Sequence, residues 1–67
     1  MLKCDSSNIN EFGWKDDTLT VIFKHGVAYQ YYKVPEKVFV DMQAAESKGK
    51  FLNAFVKGVY NYKKVNN

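Results

Sequence analysis

The stretch Ser47-Lys48-Gly49-Lys50, with Asn53 one turn further on, has the residue types to hold an anion. A helix starting behind Ser47 would offer unpaired N–H groups and a partial positive charge. Gly49 would let a phosphate approach the backbone closely. Lys48, Lys50 and, further along, Lys57 would add positive charge. A competing reading makes the same residues an ordinary helix start with solubilising lysines. Nucleophilic catalysis has less to work with. Cys4 and His25 are the only thiol and the only imidazole, and a nucleophile needs its base within hydrogen-bond reach. Cys4 falls near the N-terminal end and His25 in a Gly-marked turn, so they are not expected to meet. Asp16-Asp17 are adjacent and read as turn residues before an acid–base pair. One Cys and one His allow no zinc cluster and no internal disulfide. No phosphate-cradling loop of the Walker type is present. These residues predict a protein that is not an enzyme, with no cofactor and no metal.

Aromatic residues supply the second kind of chemistry. Tyr29 and Tyr31 stand at i and i+2 and so share one side of a strand. Such a pair is either a stacking platform for a base or the amphipathic lid of a small core. Tyr32 would lie on the opposite side. Tyr60 and Tyr62 stand beside Lys57, Lys63 and Lys64, an aromatic–basic mixture that could stack a base next to neutralised phosphates. The candidate aromatic contacts are Tyr31, Tyr32 and Tyr60.

Charge follows the same division. All seven acids lie at or before Glu46, and residues 48–67 hold five lysines and no acid. A basic end on a mildly acidic body points to an anionic partner; a solvated lysine face is the plainer alternative. The chain has ten lysines and no arginine. Arginine is the usual residue for bidentate contact to guanine or phosphate, so sequence-specific major-groove reading is not expected.

The elements that must position these residues follow from pattern. With 67 residues the chain is expected to form one domain over 1–67. Thr18-Leu19-Thr20-Val21-Ile22-Phe23-Lys24 alternates with period two and predicts a strand over 18–24. Residues 27–32 predict its hairpin partner. A two-residue turn at His25-Gly26 would put Tyr29 and Tyr31 on the Thr20/Ile22 face. A three-residue loop, Lys24-His25-Gly26, with Gly26 left-handed in a bulge, pairs Phe23 with Val27, Val21 with Tyr29 and Leu19 with Tyr31. Only the second register gathers the apolar set on one face, so burial selects it and makes the tyrosine pair a core lid.

A first strand is predicted over 6–14, with a bulge near Asn10-Glu11 bringing Ile9 into line with Phe12 and Trp14, and a turn at Lys15-Asp16-Asp17. Pro35 suits the first helical position. Helices are predicted over 35–46, with Val38, Met42 and Ala45 inward, and over 48–57, with Leu52, Phe55, Val56 and Val59 inward. Residues 58–67 are left as a basic extension. The expected fold is α+β: a three-stranded antiparallel meander followed by two short helices packed on one sheet face. The other face, with Thr20, Ile22, Gln30 and Tyr32, would be uncovered and open to a homodimer or another partner.

The order of these pieces resembles the KTSC domain. That family of about sixty residues occurs at the C-terminus of some lysyl-tRNA synthetases and as a stand-alone protein in bacteria and phages. The matching residues are Ser6-Ser7-x-Ile9, Leu19-x-Val21-x-Phe23, Gly26-x-x-Tyr29-x-Tyr31-x-x-Val34-Pro35, Ala45-x-Ser47-x-Gly49-x-Phe51-x-Asn53 and Tyr60. The resemblance implies an α+β unit and no established activity, with RNA binding as the conjecture from the synthetase context. The family commonly carries Arg or Lys near the C-terminus; here there is only Lys, so no guanidinium-specific contact is expected. The functional expectation is a non-catalytic module for RNA or a phosphate-containing nucleotide. The alternative is a phage-type accessory protein that binds a host protein or sequesters a host nucleotide signal. No apolar run suits a membrane, and a cytoplasmic location, the host's if phage-encoded, is expected.

Overall fold

The computed structural model describes residues 2–3 and 8–65. Its fold is α+β, with two helices and a five-stranded antiparallel sheet in the order β1-β2-β3-β4-β5. The strands are β1 (Leu2–Lys3), β2 (Ile9–Lys15), β3 (Thr18–Phe23), β4 (Ala28–Tyr31) and β5 (Tyr62–Val65). Helices α1 (Glu36–Ala44) and α2 (Lys48–Phe55) connect β4 to β5. The expected three-stranded meander is its centre, β2-β3-β4. Two edge strands were not expected. β1 is too short to carry a pattern. β5 lies inside the stretch predicted as a basic extension, where the adjacent Lys63 and Lys64 break the alternation.

Local chemistry explains the meander. Asp16 and Asp17 both have positive φ, 50° and 63°, as a two-residue primed turn requires, and Lys15 then faces Thr18. Asn10 is the bulge: Ile9 pairs with Phe23, but Glu11 already pairs with Ile22. The extra residue puts Ile9 on the same face as Phe12. Gly26, with φ +90°, closes the second hairpin. Its N–H donates to the Phe23 carbonyl (2.9 Å) and the Phe23 N–H to the Val27 carbonyl (2.8 Å). Leu19 faces Tyr31 and Val21 faces Tyr29, the register that burial selected.

That register builds one core. Ile9, Phe12, Leu19, Val21, Phe23 and Tyr31 from the sheet meet Val34, Met42, Leu52 and Val56 from the helical side. Trp14 pins the crossover, its Nε1–H donating to the Val34 carbonyl at 2.7 Å. The Val34 N–H donates to the Asp17 carbonyl at 2.8 Å. Thr20, Ile22, Gln30 and Tyr32 belong to the opposite face, and the Tyr32 hydroxyl reaches Gln30 Oε1 at 3.4 Å.

The helices are shorter than the predicted spans 35–46 and 48–57. Pro35 is the N-cap of α1 and not its first helical residue, with extended backbone at ψ 150°. Ser47 caps α2, its Oγ accepting from the Lys50 N–H at 3.2 Å. On α2, Leu52 is buried, with Val56 just after it, but Phe55 and Val59 stand exposed, 59% and 61%. The chain leaves helical geometry before Val59, so the predicted four-residue apolar face is only half used. Ser6 and Ser7 lie outside the described residues, as does Cys4. No described helix is long and apolar enough to cross a membrane.

Candidate functional site

The predicted anion site at the start of α2 is put to structural use. Ser47 is occupied by its cap bond to Lys50. The Lys48 ammonium donates to the Gln43 carbonyl at 3.0 Å and to the Ala45 carbonyl. These are the carbonyls that the end of α1 leaves unpaired, and a lysine there also suits the helix dipole. Gly49 is half-buried, while Lys50 and Asn53 are exposed. Lys57 lies beyond the other end of α2, roughly 12 Å away for a helix of this length. The predicted set Ser47, Lys48, Gly49, Lys50, Asn53 and Lys57 is therefore not brought to one point.

A different constellation forms where α2 ends. The Lys57 N–H donates to the Leu52 carbonyl (2.9 Å), and the Tyr60 N–H to the Val56 carbonyl (3.2 Å). Gly58 sits between them in the left-handed region, φ +78°, with open space where a Cβ would be. This turn follows the fully buried Val56 and leads the chain towards β5. Tyr29, Tyr31, Tyr62, Lys57 and Gly58 enclose a cavity of about 300 Å³.

Its walls are set by register. Tyr31 faces Tyr62 across the β4–β5 pair, and Tyr29 faces Lys64. Directly opposed residues leave an antiparallel pair on the same side, so both tyrosines, Tyr62 and Lys64 rise from the helix-covered face. Tyr29 meets Tyr62 edge-on, with centroids 5.5 Å apart at 86°, and Tyr31 lies 5.7 Å from Tyr62. Tyr31 is 2% exposed and forms the floor; Tyr62 is 62% exposed and forms the outer wall. Burial, with Tyr29 and Tyr62 close by, pushes the Tyr31 phenol above its ordinary value, so the floor stays uncharged.

A second cavity, about 510 Å³, adjoins the first through Lys57 and is lined also by Asn8, Phe23, Lys24 and His25. His25 lies nearly parallel to Phe23, 5.8 Å between centroids at 11°. Lys57 Nζ stands 5.9 Å over the Phe23 ring. Among the described residues neither lining contains an acid, and no thiol or carboxylate joins His25 there. Among the described residues no group of His, Cys, Asp or Glu could hold a metal ion.

Of the predicted aromatic contacts, Tyr31 reaches this groove. Tyr60 packs against the core, and Tyr32 belongs to the opposite face. His25 was not expected at a site, and Tyr29 and Tyr62, although able to stack a base on the sequence reading, were not among the candidate contacts. The same-face pairing of Tyr29 with Tyr31 was visible, but Tyr62 joins them only through β5, a pairing across more than thirty residues of chain.

The KTSC domain family model matches residues 5–62. A lysine–tRNA ligase of Nostoc punctiforme is 39% identical over 67 residues, covering 97% of this chain. The chain spans only 12% of that ligase's length. A protein of Tsukamurella paurometabola is 42% identical over 59 residues, covering 85% of this chain and 88% of its own. The crystal structure of a KTSC domain protein from Yersinia pestis superposes with a TM-score of 0.89 at 32% identity, covering 97% of this chain and 94% of that one.

Proposed function

As a chain that belongs to the KTSC domain family, this protein is, we propose, a non-catalytic module that binds RNA or another phosphate-bearing nucleotide ligand in the groove beside Lys57. One observation carries this reading: an exposed tyrosine and a lysine converge on one cavity that no acid lines among the described residues. A base stacked on an exposed aromatic contributes about 1–3 kcal/mol. Lys57, with Lys64 on the same face and Lys24 in the adjoining cavity, supplies the charge for phosphate. Relatives named as lysine–tRNA ligases carry a similar segment, which agrees with an RNA ligand.

The test is a polarisation titration of a labelled eight-nucleotide adenylate strand from low to high salt. With three lysines engaging phosphates, log affinity should fall against log salt with a slope of about −2. No binding at low salt, or a slope near zero, would remove nucleic acid from consideration.

Exposed Phe55, tilted at 42° against Phe51 with centroids 4.9 Å apart, and exposed Val59 favour a second reading, a protein partner seated at the end of α2. Phe55→Ser would abolish that interaction and leave the nucleotide titration unchanged.

A further inference from the structure

Resting on the nucleotide reading, we infer that the groove is built for two nucleobases joined by a phosphodiester, with Lys57 holding the phosphate between them. The first cavity is walled by Tyr29, Tyr31 and Tyr62, and the second by Phe23 and His25. Among the described residues Lys57 alone lines both. Each volume, about 300 Å³ and about 510 Å³, falls in the usual range of small-molecule sites, about 300–1,000 Å³.

A partition separates them. Phe23 and Tyr29 stand edge-to-face, 5.6 Å apart at 78°, and Phe23 belongs to one cavity while Tyr29 belongs to the other. A single flat ring cannot occupy both sides of that pair. Two rings tied by a short anionic link can, and the link then crosses where Lys57 stands over the Phe23 ring. The outer surfaces are preset for stacking. His25 is exposed and held parallel to Phe23. Tyr62 is exposed and braced by Tyr29 and Tyr31. The order along the sheet is His25, Phe23, Tyr29, Tyr62, with the cation over its middle. A ligand with one base, or with two terminal phosphates and no second base, leaves half of this row unused.

Calorimetric titration of three probes tests the assignment: adenosine monophosphate, the dinucleoside monophosphate ApA, and an eight-nucleotide adenylate strand. ApA should bind about tenfold or more tightly than the mononucleotide, the worth of one further stacked base. His25→Ala should remove that advantage, bringing ApA down to the affinity of the mononucleotide. Tyr62→Ala should weaken both, with the melting temperature followed to separate loss of fold from loss of stacking. If the strand binds as tightly as ApA, the dinucleotide step belongs to a polymer. If the strand is rejected while ApA binds, the ligand is a free dinucleotide; either outcome supports two subsites. Equal affinity for mononucleotide and ApA, with His25→Ala silent, overturns the two-base assignment and leaves the one-base reading standing. Failure of all three probes to bind overturns both.

Discussion

Lys57→Glu is expected to lower affinity for a single-stranded oligonucleotide by about tenfold to a hundredfold at low salt. A hydrogen bond to a charged group contributes about 1.5–3 kcal/mol, and each 1.4 kcal/mol is tenfold in affinity. The substitution also sets a negative charge on a side chain that lines both cavities. The folded state should lose little. Lys57 is exposed, and its position over Phe23 contributes about 0.5–1 kcal/mol. The informative control is Lys50→Glu. Lys50 is exposed at the other end of α2 and lines neither groove cavity, so its reversal should change affinity by about twofold at most. Polarisation titrations of both variants against the same strand make the comparison. If Lys50→Glu is the more damaging, the anion site lies at the start of α2 and the groove reading fails.

The second large effect concerns the fold. Phe12 is 2% exposed, opposes Val21 across the β2–β3 pair, and meets Phe39 edge-on with centroids 5.7 Å apart. Phe12→Ala should cost about 3–5 kcal/mol, since it removes a whole buried ring and leaves a cavity. A domain of this size has a total stability of roughly 3–10 kcal/mol. The variant should therefore be largely unfolded at physiological temperature. Val40→Ala, on the exposed side of α1, should be nearly neutral. Urea denaturation followed by far-ultraviolet circular dichroism gives both values. A loss below about 1 kcal/mol for Phe12→Ala would mean that the core is not centred on this residue.

These two sites also differ in how well the chain announced them. The centre of the sheet was legible because its constraints are local. Leu19, Val21 and Phe23 alternate, Gly26 punctuates, and only one register buries the set. Asn10 as the bulge followed from the awkward spacing of Ile9 and Phe12. Ser47 as a helix cap rested on equally local chemistry. The edge strands were not legible for opposite reasons. Leu2–Lys3 is too short to show a period, and Tyr62–Val65 gains its identity only by pairing with β4. The functional groove inherits that difficulty. Tyr31 is buried under the helices as expected, but Tyr29 is only partly buried. Lys48 carries a charge that suggests an anion, and its ammonium also donates to the Gln43 and Ala45 carbonyls at the end of α1, a pairing visible only once α1 is placed.

The position of β5 at the sheet margin ties recognition to folding order. The hairpins β2-β3 and β3-β4 close short loops, whereas β5 docks only after the chain has passed through both helices, and late, marginal elements open most readily. Tyr62 arrives with β5, so the outer wall of the tyrosine cavity exists only while that strand is docked. A ligand that needs Tyr62 must then act as a clamp on the strand. At a free concentration about a hundred times its dissociation constant, ApA should slow amide exchange through this opening by about a hundredfold in residues 62–65, with little change where exchange proceeds by other routes. Unchanged exchange there under saturation would separate the two processes. If they are linked, every substitution that loosens the β4–β5 pairing weakens binding without touching the ligand, and the affinity of the module becomes a readout of how often its last strand comes undone.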